Sequence, residues 1–349
     1  MIKQKPFFFD MTKEDVTALI DNIGYEPYRA SQLWEGIYKI GFSQPDEIVN
    51  LPKELREKLN EKLEFNVLFP EKSVFSEDLN TEKILFRLRD DLAVETVIMN
   101  YQNRNTVCIS TQVGCAMDCK FCATGKMGFK RNLSIGEINA QVLYVSRKLS
   151  LEGKKLSNIV VMGMGEPFNN YQNTLDAIYI LNNKSGAKIG TRRFTISTVG
   201  IVPKIKRFTR ENHQINLAIS LHAAENSLRS RLLPINDTFS IEDVLEASDE
   251  YIETTHRRVS LEWAMIHGVN DDLRQAKLLI ERIKGKNYHV NLIPLNSSGF
   301  FNGKGSSREN VLAFKMKMEM EGISCSVRLR RGIDIQAGCG QLMDRNSNY

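Results

Sequence analysis

The sequence predicts an α/β protein whose main domain is a parallel β-sheet, preceded by a small helical module and a β-hairpin linker. Three observations carry this prediction. From Thr106 onward, short β-rich runs alternate with capped helical stretches at the pitch of βαβ units. Residues 1–65 show helical periodicity only. Residues 66–105 hold two β-rich runs separated by Asp90-Asp91, the pattern of a hairpin.

In the helical module, Thr12 is a fitting N-cap for a helix carrying Val16, Leu19 and Ile20 and ending at Gly24. A second helix is expected over residues 28–38, with Leu33, Trp34 and Ile37 on one stripe. A third starts at Pro52 and ends near Leu63. Lys13, Arg29, Lys39, Lys53, Arg56 and Lys58 are scattered along the module, as an RNA-facing surface or as a solvated one. The hairpin strands are residues 83–89 and 92–99. Glu95 lies inside the second, where a carboxylate is costly unless it is exposed, paired or poised near a site.

The main-domain strands are expected at 107–113, 158–162, 193–198, 214–220, 258–266, 289–295 and 324–330. Ser134-Ile135-Gly136-Glu137 is a capping box for a helix to about Leu149. Pro203 begins a short helix, Ser240 caps one to about Thr255, and 272–283 and 307–320 complete the set. The Gly/Ser-rich loop 297–307 reads as flexible, the core as 106–342, and 343–349 as a disordered tail. Whether such a sheet is open or closes into a barrel, its sites lie at the C-terminal strand ends.

Hydrophobic content of 42% and charged content of 26% are those of a globular protein. No apolar run approaches the ~18 residues of a spanning helix, and the N-terminal apolar run is too short for a signal peptide. A cytoplasmic protein without membrane association is expected, and nothing demands more than a monomer. There, clustered cysteines more often serve metal or redox chemistry than structural disulfides. A net charge of +5 permits a nucleic-acid partner and suits an enzyme of small molecules equally.

Three of the six cysteines, Cys115, Cys119 and Cys122, form C-x3-C-x2-C after the first main-domain strand. Three thiolates without an obvious fourth ligand suit an iron–sulfur cluster with one open iron. A fourth ligand from Cys108, Cys325, Cys339 or a histidine would instead close a zinc site. Other polar motifs fall at successive strand ends: Gly163-Met164-Gly165-Glu166-Pro167, Ser197, Ser220-Leu221-His222, Asn296, and the run 334–341 around Cys339.

The cysteine loop resembles the radical S-adenosylmethionine (radical SAM) signature. Its surroundings, Gln112-Val113-Gly114 before it and Ala123-Thr124-Gly125 after it, are similar to the RlmN/Cfr family of RNA adenosine methyltransferases. So are Val94-Glu95-Thr96-Val97, Met162-Gly163-Met164-Gly165-Glu166-Pro167, Ser197-Thr198-Val199-Gly200-Ile201, Ser220-Leu221-His222, Pro234-Ile235-Asn236 and Cys339-Gly340-Gln341-Leu342. The resemblance spans nearly the whole chain in the right order. It implies a partial (β/α)6-type barrel. It also implies one 4Fe-4S cluster on Cys115, Cys119 and Cys122, with S-adenosyl-L-methionine (SAM) on the open iron. Glu166 would accept from the SAM ammonium and Gly165 would allow close approach. Ser197, Ser220, Leu221, His222 and Asn296 would complete the pocket.

By the same resemblance, Cys339 is methylated by one SAM, and a radical from a second SAM takes hydrogen from that methyl group. The resulting carbon radical adds to adenine. Glu95 takes the ring proton, and Cys108 releases the RNA through a transient Cys108–Cys339 disulfide. The implied partners are 23S rRNA, tRNA beside its anticodon, and a flavodoxin-type electron donor. Docking is expected on the helical module and on Lys126, Lys130 and Arg131. Two departures stand in the C-terminal motif: Ile333, as in Cfr, where RlmN members carry an acidic residue, and Gln336-Ala337-Gly338, where they carry Asp-Ala-Ala. Cfr-type C8 methylation is therefore the alternative to C2, which the cysteine loop favours through Val113 and Ala116-Met117. An alternative of another class is an RNA-binding protein with structural zinc. Cys325 is read as core.

Overall fold

The computed structural model describes residues 5–296, 300–328 and 331–343. The expected tail from 344 on, positions 297–299 of the Gly/Ser-rich loop and the end of the last expected strand at 329–330 lie outside the described residues.

The helical module contains α1 (Lys13–Asn22), α2 (Tyr28–Glu35) and α3 (Lys53–Lys62). Thr12 and Asp15 cap α1 reciprocally, as the sequence predicts. The second helix is shorter than expected: beyond Glu35 it widens into a π-turn over Gly36–Ile40 and stops at Gly41, whose φ is +93°. Val16, Ile20, Leu33, Trp34, Leu55 and Leu59 face inward around Phe8, which stacks on Phe65 with ring centroids 5.0 Å apart.

β1 (Phe69–Phe75), β2 (Thr81–Arg87), β3 (Ala93–Tyr101) and β4 (Arg104–Cys108) form antiparallel neighbours. β1, a largely exposed edge strand, was not expected: its solvated side chains lack an apolar alternation. The expected strand 107–113 divides in two. β4 ends at Cys108, and Ser110 and Thr111 bond Gln141 Oε1 and the Met164 carbonyl instead of a sheet neighbour. β5 (Gln112–Gly114) then pairs with β6 (Phe129–Asn132), and this hairpin brackets the cysteine loop and the short α4 (Ala123–Lys126).

The remainder alternates: α5 (Ile135–Leu151), β7 (Leu156–Val161), α6 (Tyr171–Asn182), β8 (Phe194–Thr198), α7 (Val202–Arg210), β9 (Asn216–Ser220), α8 (Asn226–Leu232), α9 (Ile241–Thr255), β10 (Val259–Met265), α10 (Leu273–Ile283), β11 (Tyr288–Pro294), α11 (Arg308–Met320) and β12 (Ser324–Val327). Helices α6 and α8 were not expected; neither has a side-chain N-cap to announce it. The predicted caps Ser134 and Ser240 are formed. Asp10 Oδ1 accepts from the Gly136 N–H at 2.6 Å, fastening the helical module to the start of α5.

All the principal strands join one ten-stranded sheet, parallel from β4 through β12 in the order β4-β7-β8-β9-β10-β11-β12. Alternation decides its two faces. Leu261, Trp263, Val290 and Leu292 pack outward into the core beneath the helices. Ser260, Glu262, His289, Asn291, Ser326 and Arg328 point inward and line a cavity of about 1200 Å³. The sheet therefore curls around a polar interior, a partial barrel.

Gly114 shows how tightly the cysteine loop is founded. Its φ is +71°, and a Cβ there would lie 1.7 Å from the Gly128 carbonyl oxygen, which also receives the Cys115 N–H at 3.1 Å. Gly114→Ala is expected to cost about 2–4 kcal/mol, from the left-handed backbone and the collision of two backbones. Chemical denaturation would register this loss, and iron bound on anaerobic reconstitution should fall with it.

Candidate active site

Cys115, Cys119 and Cys122 occupy the loop between β5 and α4. It is shaped by a Cys122 N–H to Cys119 carbonyl bond of 3.0 Å and by Asp118, at φ +46°, which gathers Lys126 at 2.9 Å and also Lys120. Burial pushes the Cys115 thiol up to about 12 and drives Cys119 well above its ordinary value, with Cys122 raised too. The charges of the three sulfurs further oppose one another's ionisation. Such thiols hold a proton in the bare protein and yield it to a cationic metal centre. A single ion needs ligand atoms converging at ~2.0–2.3 Å. Among the described residues, no three His, Cys, Asp or Glu side chains form such a group. Three cysteine thiols in one loop are the donor type of an iron–sulfur cluster.

The strand ends supply the second half of the site. Gly165, after β7, has φ +103°, and a Cβ there would sit 2.6 Å from Gln112 Cβ. That approach lets the Glu166 N–H donate to Gln112 Oε1 at 2.8 Å. The Glu166 carboxylate accepts from the Phe168 and Val199 N–H groups, each at 2.9 Å. Burial nevertheless raises its pKa to about 7, outweighing those bonds. Ser197 and Ser220, on neighbouring strands, bring their hydroxyls to 3.4 Å. Among the described residues, Asn296 Oδ1 is buried without a hydrogen-bond partner.

Leu221 and His222 do not present side chains to this space. Leu221 is in the core. His222, at φ +60°, accepts the Ala264 N–H on Nδ1 at 2.9 Å, and burial holds its pKa down to about 3. Its ring meets Phe121, in the cysteine loop, edge-on at 4.9 Å.

The C-terminal segment crosses back over this region. The Gly340 carbonyl accepts from the Ala123 N–H at 2.7 Å, and Thr124 Oγ1 donates to the Leu342 carbonyl, 218 positions away, at 2.7 Å. Cys339 is thereby exposed at the cavity that Cys108, Cys122 and Asn296 also line. Arg328 Nη1 donates to Cys339 Sγ at 3.0 Å, while Nη2 faces Glu262 at 3.4 Å. Cys108 is buried, which raises its thiol to about 12; the Cys339 sulfur adds to that rise and the Arg328 charge opposes it. All six cysteines are free thiols.

Glu95 is buried rather than solvated. It lies two residues before Val97, which pairs with Cys108, and so shares the cavity-facing side of β3. It pairs with Lys83 at 2.8 Å and accepts the Met343 N–H at 2.8 Å. Met343, assigned to the tail by sequence, is therefore buried and anchored. Arg131, expected to face RNA, is instead committed to Glu137 at 2.7 Å and Asp90 at 2.6 Å.

The sequence reading gave no site role to four residues of this region: Lys83, Gln112, Thr124 and Arg328. Polar residues at alternate, inward strand positions, such as Ser326 and Arg328, were the available signal. It weakens without knowledge of which face is the interior.

Comparison with known proteins accords with this geometry. Residues 109–279 match the radical SAM superfamily, and residues 8–65 match the ribosomal RNA large subunit methyltransferase N-terminal domain. The chain is 42% identical over 334 residues to dual-specificity RNA methyltransferase RlmN 1 of Myxococcus xanthus, covering 96% of this chain and 93% of that protein. It is 40% identical over 339 residues to the probable dual-specificity RNA methyltransferase RlmN of Bacillus subtilis, covering 97% and 93% respectively. The crystal structure of a radical SAM methyltransferase from Sphaerobacter thermophilus superposes with a TM-score of 0.94 at 42% identity, covering 97% of this chain and 99% of that one. Cysteine loop, curled sheet and N-terminal module thus agree with one lineage, and the chain belongs to the RlmN family of radical SAM RNA methyltransferases.

Proposed function

We propose that this enzyme methylates C2 of an adenosine in 23S rRNA, and in tRNA, through a methyl group carried on Cys339. The observation that carries the reading is the docking of the Cys339 loop onto Ala123 and Thr124, directly beside the cysteine trio and on the cavity lined by Cys108. When bound, the 4Fe-4S cluster and SAM supply the methyl group and the one-electron chemistry. Cys115, Cys119 and Cys122 would hold the cluster. Glu166 and the orphan Asn296 Oδ1 would receive the donors of SAM, with Ser197 and Ser220 at its side.

The remaining work falls to side chains of the cavity. Arg328 fixes the Cys339 sulfur, and Glu262 orients Arg328 from the far side. Glu95, paired with Lys83 on the cavity-facing side of β3, would take the proton from the base. Cys108 attacks the Cys339 sulfur, with the Arg328 charge favouring its thiolate: the Cys108–Cys339 disulfide forms as the bond from that sulfur to the methylene carbon on the base breaks, and the carbon takes a proton to become the methyl group. A flavodoxin-type protein is the fitting electron donor, and the enzyme acts as a monomer in the cytoplasm. Among the described residues, no helix is long and apolar enough to cross a membrane.

Nucleoside mass spectrometry of ribosomal RNA, with and without this enzyme, tests the product. 2-Methyladenosine is expected; 8-methyladenosine as the sole product would overturn the assignment.

Glu166 gives a pH dependence. Burial raises its pKa from 4.5 to about 7, so the protonated form favours the bare fold. That contribution is fully present below 4.5 and lost as pH rises through about 7. Ligand affinity should run the opposite way, because the SAM ammonium needs the carboxylate. Affinity for SAM is expected to fall about tenfold per pH unit below 7 and to level off above it. Calorimetric titration would show the slope, and Glu166→Gln should flatten it.

A further inference from the structure

The cavity has a second mouth at the end of the sheet opposite the cysteines. Arg104 opens β4, Arg192 and Arg193 precede β8, Arg257 and Arg258 precede β10, and all five line the cavity there, with His289 near the start of β11. Several other arginines are matched by carboxylates, as Arg131 is by Glu137 and Arg282 by Glu242. Among the described residues, none of these five forms an ion pair, and Glu262, the one carboxylate lining the cavity, is turned to Arg328.

The guanidinium groups also converge. Arg192 reaches Gln214 Oε1 through Nε at 3.3 Å and Nη2 at 3.1 Å, and Arg257 Nη1 reaches the same oxygen at 3.3 Å. Arg257 Nη2 donates to Asn216 Oδ1 at 2.7 Å, and the same side chain lies against the Tyr251 hydroxyl. Two full positive charges thus share one neutral acceptor. Burial and then the Arg258 charge hold the His289 imidazole below its ordinary value, as expected in a positive field. Like charges brought together this way repel unless an anion joins them.

We propose that this mouth binds a small phosphate-bearing anion. Guanidinium forks match the several oxygens of a tetrahedral phosphate. A nucleic-acid strand asks for cations along a line, whereas Arg192 and Arg257 meet at one point, Gln214 Oε1. A bound phosphate would cancel the repulsion and close the end of the cavity remote from Cys339.

Inorganic phosphate titrated into the full chain at constant ionic strength tests this, read by calorimetry and by thermal melting. One saturable site is expected, with a melting temperature that rises as phosphate is added. The Arg192→Gln/Arg257→Gln double variant should melt no lower than the parent in phosphate-free buffer, having lost the repulsion, and should bind phosphate at least tenfold more weakly. If that variant fails to fold, Gln214→Glu serves instead: an internal anion should raise the phosphate-free melting temperature and remove the response to phosphate. The proposal is overturned by absence of saturable binding, by equal affinity in the variants, or by arginine-dependent binding of an RNA oligonucleotide but not of phosphate.

Discussion

Replacing Cys339 by alanine is expected to lower RNA methylation about a thousandfold or more, to the background of the assay. Its sulfur is an exposed thiol on the cavity, held at 3.0 Å by Arg328. Alanine leaves the guanidinium without that acceptor but leaves the loop intact, because the loop is fastened through backbone groups of Gly340 and Leu342. Iron content and melting temperature should therefore stay near those of the parent, while intact-mass measurement loses the methyl group carried by the protein. A variant that still methylated RNA would remove Cys339 from the pathway.

The second large effect is expected of Cys108→Ala, and it is a block at a different stage. Cys108 is buried at the end of β4, and its ionisation responds to both Cys339 and Arg328. On the proposed pathway, losing this thiol leaves the bond between Cys339 and the base no route to release. The expected result is a covalent protein–RNA adduct, seen as a shifted band that survives denaturation, with turnover falling below one product per enzyme. The substitution removes one sulfur from a buried site and should cost about 1–2 kcal/mol of stability, so the protein still folds. Clean multiple turnover would exclude Cys108. In the double variant Cys108→Ala/Cys339→Ala the adduct should disappear, which places the two residues in one sequence of events.

Much of this fold can be read from local chemistry. The capping residues Thr12, Ser134 and Ser240 act within one helical turn of themselves, and all three caps form. The strands of the parallel sheet are short apolar alternations and lie within a few residues of their expected places. Helices α6 and α8 escaped because they begin without a side-chain cap and are held by packing. The division between β4 and β5 escaped because Ser110 and Thr111 look like strand residues, yet bond to Gln141 and Met164 from other elements.

The sequence by itself determined the cysteine trio, the glycine–glutamate turn, the order of the motifs and the family resemblance. Each of these is a matter of residue type and short spacing, which chain connectivity preserves. Only the tertiary structure decided which faces of the strands look inward. It buried Glu95 against Lys83, withdrew His222 and Arg131 into structural contacts, and set Arg328 on Cys339. It also gathered five arginines from β4 and the approaches to β8 and β10 at one mouth. These placements depend on curvature and on contacts between residues far apart in the chain, where one guanidinium competes among several acceptors. Local sequence has no term for that competition. The trio of cysteines is legible where it stands; its partner Cys339 becomes part of the same site only when the last segment folds back onto Ala123 and Thr124.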